Sequence, residues 1–325
     1  MASIREVAKL ANVSPATVSR VMNGTANVDE EKKERVLRAI SETGFVPNEV
    51  ARSLFKKSAK TIGLIVPSIE NPFFTQLANA IERTAEEHGY RMILCGTGSQ
   101  YEKEKTMIQM LTSMNADGII MTTSNPEVKP LVEQCSIPVV ITDRQSENIS
   151  GCDYVHCDHY AGGKLAMRHL LEAGCKNIVC MKGPQDISSA KERYEGYRDV
   201  CKEMGIQEQT VDCDYDFEQG LEKTKELLKQ YPEVDGIIAC NDMVAISVYK
   251  VLHQKKIAVP EEIQIIGYDN INLASLMTPE LTTIAQPIEE IGKKAAEMII
   301  DRKDGQKENK EYIFQATLIK RETTK

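Results

Sequence analysis

Ten side chains beyond residue 70 combine the chemical groups that bind small polar molecules. Carboxylates, guanidiniums and amides form paired hydrogen bonds with neighbouring hydroxyls, and phenyl rings pack against CH faces. Such a set suits a small polyhydroxylated ligand, so a sugar is the expected class. The ten residues are Asn71, Phe73, Phe74, Asp143, Arg144, Arg193, Phe217, Asn241, Asp269 and Gln286.

A second group of polar side chains lies near the amino terminus, in the stretch VAKLANVSPATVSRVMNG at 7–24. The guanidinium of Arg20 can donate two parallel hydrogen bonds to O6 and N7 of a guanine in the major groove. Hydroxyls and amides can bond to phosphate oxygens. This pattern predicts a DNA-reading surface. Its members besides Arg20 are Ser14, Pro15, Ala16, Thr17, Ser19 and Asn23.

Helical patterns must position this second group. They cover 4–10, 15–22 and 30–43, with Ser14 placed as an N-cap and Pro15 at the first helical position. Asn12 occupies the intervening turn, where a left-handed conformation favours Gly or Asn. The pattern predicts a helix-turn-helix whose two helices touch through Val7, Ala8, Val13, Val18 and Val21.

Alternating strands and helices must position the first group. Short β-branched runs typical of buried parallel strands occur at 61–67, 91–95, 118–123, 138–142, 177–183, 235–240 and 263–269. Helical patterns lie between or after them at 72–88, 101–114, 160–173, 190–204, 217–230, 241–255 and 288–301. One sheet of that many strands is unusually wide, so we expect two doubly wound α/β lobes with ligand-binding residues at the strand ends facing a cleft.

Composition limits the class of protein. The 325 residues are 42% hydrophobic and 27% charged, as expected of a folded globular chain. The net charge is −8, yet residues 1–60 carry 11 Lys and Arg against 7 Asp and Glu, so only the amino-terminal part is basic. With no apolar run of 18 residues and no signal-peptide pattern, we expect a cytoplasmic protein without a membrane segment. Nine scattered cysteines indicate reduced, packed thiols.

Signals for catalysis are weak. GGKL at 162–165 lacks the upstream glycine of a phosphate-binding loop, because position 158 is Asp. His156, Cys157, Asp158 and His159 are consecutive, so an extended segment would direct them to opposite faces, and a packed strand end is favoured over a metal site. A nucleophile elbow is also missing. We therefore expect neither an enzyme nor a metal or cofactor.

The amino-terminal motif resembles the LacI family of bacterial regulators. The matching residues run from Ile4 through the helix-turn-helix to Asn23 and continue at Pro47, Asn48, Ala51 and Leu54. The resemblance implies an all-α head at 1–46 and a hinge helix and linker at 47–60. It also implies that Ile4, Asn48 and Ala51 contact DNA and that Leu54 wedges into the central base step of the minor groove. Some members follow this leucine with lysine, where the present chain has Phe55.

The resemblance continues through 61–325 and implies a body like type I periplasmic binding proteins. The phrases NPFF, TDRQ, AKERYEGY, DYDFEQG, CNDM, IGYDN and TIAQP are similar to the ligand residues of ribose-binding proteins and ribose-operon repressors. Carried over residue by residue, the polar members of the ten would bind hydroxyls and the three phenylalanines would pack on the ring. The implied partners are a palindromic double-stranded operator and ribose or a related pentose.

Two other functions are weighed against a homodimeric, sugar-controlled repressor. A solute-binding transport component would share the lobes, but it needs an export signal and no helix-turn-helix. A catabolite-control regulator would share the whole fold and take a phosphorylated carrier protein as corepressor. Induction by the sugar is expected from the family, although corepression would use the same cleft.

Overall fold

The computed structural model describes residues 2–23, 28–45, 58–144, 149–302 and 310–325. The chain divides into two compact units, a head (1–59) and a body (60–325). Within its described residues the head contains the helices α1 (Ile4–Leu10), α2 (Pro15–Asn23) and α3 (Glu30–Thr43). Short side chains from all three helices form its core, which consists of Val7, Ala8, Ala11, Val18, Val36 and Ala39.

The turn between α1 and α2 has the expected local chemistry. Asn12 lies at φ +50°, in the left-handed region that asparagine tolerates. Ser14 Oγ accepts a hydrogen bond from the Thr17 amide at 3.1 Å and so caps α2, which begins at Pro15. Val7 and Val18 are fully buried where the two helices meet. The predicted helix-turn-helix is therefore confirmed.

Two six-stranded sheets occupy the described part of the body. The first contains β1 (Thr61–Val66), β2 (Arg91–Gly96), β3 (Gly118–Met121), β4 (Val139–Thr142), β5 (Asp153–Cys157) and β11 (Glu311–Phe314). The second contains β6 (Ile178–Lys182), β7 (Thr210–Asp212), β8 (Gly236–Ile238), β9 (Gln264–Asp269), β10 (Thr282–Ala285) and β12 (Thr317–Ile319). Their strand orders are β11-β5-β4-β3-β1-β2 and β12-β10-β9-β8-β6-β7, and every paired strand is parallel to its neighbour except β12.

Helices complete two lobes around these sheets. The first lobe carries α4 (Pro72–Glu87), α5 (Tyr101–Ser113), α6 (Lys129–Glu133) and α11 (Ile288–Ile300). The second lobe carries α7 (His159–Glu172), α8 (Ser188–Met204), α9 (Phe217–Gln230) and α10 (Asp242–Gln254). Short 3₁₀ turns span Pro126–Val128 and Asn272–Ser275. A helical head, followed in the chain by two parallel-sheet lobes, is the fold class that the sequence predicts.

The chain passes between the lobes three times within the described residues. It crosses at Asp158 between β5 and α7, at 286–287 between β10 and α11, and at 315–316 between β11 and β12. The Asp158 amide donates to the Phe314 carbonyl at 2.8 Å, which ties the first crossing to the third. The lobes are therefore joined by neighbouring short segments, an arrangement that permits hinge motion.

Two glycines bring α7 and α8 close together, and a third brings α7 close to β9. A Cβ atom added at Gly163 would collide with the Arg193 carbonyl, and one added at Gly196 would collide with the Tyr160 carbonyl. An added Cβ at Gly162 would meet the Tyr268 hydroxyl. The glycines of the GGKL stretch thus serve helix packing, and this packing places Arg193 over β9.

Five strands lie outside the predicted set: β5, β7, β10, β11 and β12.

Eight of the nine cysteines are buried and Cys135 is partly buried, and all nine are free thiols. None of the helices within the described ranges is long and apolar enough to cross a membrane.

Candidate functional site

A cavity of about 540 Å³ lies between the lobes, at the carboxyl ends of both sheets. This volume is in the range of about 300–1,000 Å³ that is typical of small-molecule sites. Nine of the ten predicted ligand residues line it, namely Asn71, Phe73, Phe74, Asp143, Arg144, Arg193, Phe217, Asn241 and Asp269. The structure therefore brings together side chains that are up to 198 positions apart in the sequence.

The wall from the first lobe begins with α4. Asn71 caps this helix, and its Oδ1 accepts from the Phe73 amide at 3.0 Å, so the amide Nδ2 is the donor that remains for a ligand. The rings of Phe73 and Phe74 meet edge to face, 5.1 Å between centroids. Phe74 also lies 6.0 Å from the Arg144 guanidinium. This wall combines an apolar surface with hydrogen-bonding groups.

Asp143 and Arg144 follow β4 at the bottom of the same wall. Both are buried, 6% and 5% exposed, and their Oδ2 and Nε atoms are 3.6 Å apart. Asp143 has φ +65°, a strained backbone conformation that is concentrated at functional sites. Asp143 Oδ1 and Arg144 Nε have no hydrogen-bond partner among the described residues. The pair can therefore offer one acceptor and one donor to a ligand.

The wall from the second lobe centres on Arg193. Its Nη1 donates to the Cys240 carbonyl at 2.8 Å and its Nη2 donates to Asp269 Oδ1 at 3.3 Å. Its guanidinium stacks on the Tyr268 ring, 3.7 Å from the centroid. A guanidinium held on three sides is preorganised for hydrogen bonds along its remaining edge.

Asp269 and Gln286 form the back of this wall. Asp269 has φ +106°, and its Oδ1 accepts from Gln286 Nε2 at 2.8 Å. Burial raises the pKa of the Asp269 carboxyl to about 6, although the positive charge of Arg193 acts to lower it. Gln286 itself is not among the residues that line the cavity, so its contact with the site runs through Asp269.

Helix starts place the remaining predicted residues. Asn241 caps α10, with Oδ1 accepting from the Val244 amide at 2.9 Å. Phe217 opens α9 and is partly exposed to the cavity. The neighbouring Asp242 is directed into the lobe instead, accepting from Thr283 Oγ1 at 2.6 Å and from the Ile271 amide at 2.8 Å. Asp242 is thus part of the framework of the second lobe.

Sequence reasoning missed several residues that line the cavity: Glu70, Ser189, Asp214, Tyr215, Asp216 and Met243. Asp214, Tyr215 and Asp216 follow β7, a three-residue strand with no apolar run to mark it. The sequence signal that could have identified them is the phrase DYDFEQG, which is similar to ligand residues of ribose-binding proteins.

The side chains of His156, Asp158 and His159 have different partners. His156 Nε2 lies 3.0 Å from Glu311 Oε1, while Asp158 caps α7 by accepting from the Ala161 amide at 2.8 Å. His159 lies behind the cavity, with Nε2 3.2 Å from the Asp143 carbonyl oxygen. Metal-binding clusters of three or more His, Cys, Asp or Glu side chains are not present in the part of the chain that the structure describes.

The candidate nucleic-acid surface is the outer face of α2. Ser14, Pro15, Ala16 and Arg20 are exposed, and Thr17 and Ser19 are partly exposed. Ile4 is partly buried against the core of the head, and Asn23 is the last residue of α2. Asn48, Ala51 and Leu54, predicted to contact the minor groove, lie outside the described residues.

Comparison with family models matches both units. Residues 3–48 match the model of bacterial regulatory proteins of the lacI family. Residues 59–322 match the model of periplasmic binding proteins and the sugar-binding domain of the LacI family.

Curated relatives span the whole chain. The ribose operon repressor of Halalkalibacterium halodurans is 40% identical over 327 residues, covering 100% of this chain and 98% of that protein. The HTH-type transcriptional repressor PurR of Vibrio atlanticus is 34% identical over 332 residues, covering 100% of this chain and 99% of that protein.

Solved structures share the fold. A Lac repressor dimer bound to operator and the anti-inducer ONPF aligns with a TM-score of 0.87 and 25% identity over 99% of this chain and 98% of that one. A LacI family regulator from Enterococcus faecium with bound ribose aligns with a TM-score of 0.73 and 31% identity over 81% of this chain and 98% of that one. Because matches of this kind cover the head and the body, the chain belongs to the LacI family of bacterial regulatory proteins and is a DNA-binding transcriptional repressor rather than an enzyme.

Proposed function

We propose that this repressor is controlled by ribose, bound in the cavity between the lobes. The observation that carries the proposal is the convergence of nine predicted sugar-binding side chains on one cavity of about 540 Å³. The 40% identity to a ribose operon repressor and the 31% identity to a regulator with bound ribose support the same ligand.

The charge of the cavity favours a neutral ligand. Its carboxylates outnumber its guanidiniums, and a cleft lined by one sign of charge repels ligands of that sign. Sugar phosphates and other anions are therefore disfavoured, whereas hydroxyls can donate to the carboxylates. The carboxylates are Glu70, Asp143, Asp214, Asp216 and Asp269, and the guanidiniums are Arg144 and Arg193.

Unused polar atoms match what a sugar can offer. Asp143 Oδ1, Arg144 Nε and the Tyr215 hydroxyl are buried without hydrogen-bond partners among the described residues, and all three side chains line the cavity. A buried polar atom without a partner costs about 1–3 kcal/mol. Because sugar hydroxyls both donate and accept, a pentose can satisfy both kinds of atom at once.

The head reads operator DNA through α2. Its exposed Arg20 faces the major groove and forms two hydrogen bonds to a guanine, while the side chains around the start of the helix bond to phosphates. One chain covers half of a palindromic site, so the active species is a homodimer. The likeness to a Lac repressor dimer on its operator supports this assembly.

Control follows from the placement of the ligand residues. Asp143 and Arg144 belong to the first lobe, whereas Arg193, Asn241 and Asp269 belong to the second. A ligand bonded to both sets binds with an affinity that depends on the arrangement of the lobes, and it therefore shifts the population of these arrangements. Ribose loosens operator binding when operator-bound dimers hold the lobes in the arrangement that binds ribose less well.

The test combines calorimetry with operator binding. Operator sequences are first selected from a random pool by the full chain, and D-ribose, other pentoses, purines and sugar phosphates are then titrated. We expect D-ribose to bind and to weaken operator affinity by about 5- to 150-fold, with an equal loss of ribose affinity in the operator complex. A purine or sugar phosphate that binds where ribose does not would overturn the ligand assignment.

A further inference from the structure

His159 is a buried residue that the proposed ligand set does not include. It is 1% exposed and opens α7, directly after the crossing at Asp158. Its Nε2 is 3.2 Å from the Asp143 carbonyl oxygen, and its Nδ1 is 3.3 Å from Arg193 Nε and 3.2 Å from the Tyr268 hydroxyl. The imidazole therefore contacts a ligand residue of each lobe.

The partners of His159 determine which ring nitrogen carries the proton. An arginine Nε–H can only donate, so Nδ1 must accept from Arg193. A main-chain carbonyl can only accept, so Nε2 must carry the proton and donate to Asp143. Burial, together with the charge of Arg193, lowers the pKa of His159 well below its usual value, in agreement with a neutral ring.

The imidazole of His159 contacts Asp143 and Arg193 without entering the cavity. His159 is not among the residues that line the cavity, whereas Asp143 and Arg193 both are. On the first lobe, its hydrogen bond holds the main chain of Asp143 at φ +65°. On the second lobe, it holds the Nε edge of the Arg193 guanidinium, while Cys240 and Asp269 hold the other nitrogens.

We infer that His159 is a positioning residue of the sugar site, which sets the distance and angle between Asp143 and Arg193 across the lobes without touching the ligand. The inference rests on the proposed function, since it assigns a role within the same cavity. A side chain that bridges two lobes at their crossing fixes both halves of the site together, and binding sites depend on such supporting hydrogen bonds. Its loss leaves the Arg193 Nε–H and the Asp143 carbonyl without partners.

The first experiment measures D-ribose affinity by calorimetry in the full chain and in three variants. His159→Leu removes both hydrogen bonds, whereas His159→Gln keeps an amide nitrogen near the position of Nε2 that can donate to Asp143. His169→Gln is the matched control, because His169 is a buried histidine on the same helix whose Nε2 lies 2.7 Å from Thr324 Oγ1, away from the cavity.

We expect His159→Leu to raise the ribose Kd by about 5- to 150-fold, the equivalent of about 1–3 kcal/mol for unpaired buried groups. The ribose Kd of His159→Gln should lie between the values for His159→Leu and the wild type. The ribose Kd of His169→Gln should be within about twofold of the wild-type value, because this variant leaves the cavity contacts intact. Operator affinity without sugar should be the same in His169→Gln and the wild type, which shows that the control variant is folded. Equal ribose affinity in His159→Leu and wild type would overturn the inference, as would equal losses in His159→Leu and His159→Gln.

The second experiment needs neither ribose nor a folded Leu variant. Nitrogen-15 NMR of histidine-labelled wild type reports the proton position on each ring, and the signal that disappears in His159→Gln identifies His159. We expect the Nε2-protonated neutral form, and an Nδ1-protonated or charged ring overturns the inference. If wild type fails to bind ribose, the ligand assignment is wrong, while this measurement still decides whether His159 joins Asp143 to Arg193.

Discussion

At the scale of single residues, we expect removal of the Asp143 carboxylate to separate sugar binding from DNA binding. Asp143→Asn retains the shape and suits a left-handed backbone, but it removes the charge. We expect the ribose Kd to rise by the equivalent of about 1.5–3 kcal/mol, the usual contribution of a hydrogen bond to a charged group, with operator affinity unchanged. Asp153→Asn is the control, since Asp153 is equally buried but binds Arg302 outside the cavity. Equal ribose responses in the Asp143 variant and wild type would remove Asp143 from the site.

We expect Asp269 to give ribose binding a pH dependence. Its pKa is raised to about 6 in the free protein because burial disfavours the charged carboxylate. In the proposed site, ribose hydroxyls donate to the ionised form, so we expect protonation to compete with the sugar below this pH and affinity to increase as the pH rises. With a pKa of about 6, the ribose Kd at pH 5 should be about tenfold higher than at pH 7. Calorimetry from pH 5 to 8 measures this, Asp269→Asn should abolish the slope, and a flat wild-type profile would contradict the assignment.

The contrast between Asp143 and His159 shows how far sequence predicts the site. Ligand residues of parallel sheets follow the strands, and the β-branched runs ending at 142 and 269 are visible in the sequence, so Asp143 and Asp269 were predicted. For His159 the sequence offers only a weak metal-cluster pattern, over which a packed strand end is favoured. Its partners are 16, 34 and 109 positions away, and their approach depends on how two lobes join, which leaves no periodic signal in the sequence.

At the scale of elements, we propose that α2 specifies the operator through Arg20. Arg20→Ala should weaken binding by about 1–3 kcal/mol and relax discrimination at one symmetric pair of base positions. Quantitative binding to a panel of single-base operator variants measures both effects. Arg38→Ala, an exposed arginine on α3, is the control and should retain discrimination. Equal loss of affinity for every sequence would make Arg20 a phosphate contact instead.

The contact of α7 with α8 depends on Gly163. Gly163→Ala places a methyl group against the Arg193 carbonyl, a main-chain atom that cannot rotate away. We expect a loss of about 1–3 kcal/mol in the free energy of unfolding, the usual effect of overpacking, and weaker ribose binding because α8 carries Arg193. Urea denaturation and calorimetry measure the two effects. Gly96→Ala should be nearly neutral, since its nearest neighbour is the Ile69 side chain at 3.7 Å, and equal stability of both variants would refute the packing argument.

Element length decides which parts of the fold the sequence predicts. The periodicity of the long amphipathic helices predicts them, and β-branched apolar runs predict the strands that carry such runs. β7 and β12 have three residues each, and β11 is exposed along most of its length, so neither an apolar run nor alternation marks them. Their pairing partners lie in distant parts of the chain, and tertiary contacts rather than local propensity determine them.

At the scale of the whole molecule, we expect DNA binding and sugar binding to belong to separable units. The body from residue 60 onward is compact and contains both sheets and the complete cavity, and the helix-turn-helix lies in the head. A fragment of 61–325 should therefore bind ribose with wild-type affinity and form dimers, yet show no operator binding. Calorimetry, sedimentation and gel-shift assays measure these properties with the full chain as control. Operator binding by the fragment would refute the assignment of DNA recognition to the head.

The three crossings between the lobes also constrain the order in which the protein matures during synthesis. The first lobe begins at β1, but α11 and β11, which cover α4 and extend its sheet, follow every element of the second lobe except β12 in the chain. A ribosome that has made β5 has therefore produced a lobe whose α4 still exposes the surface that Gly292 later contacts at Ala80 and Leu77. The second lobe, apart from β12, is therefore translated before the last helix and the last strand of the first lobe. The cavity, which needs both lobes in place, is consequently completed only after residue 314 has emerged.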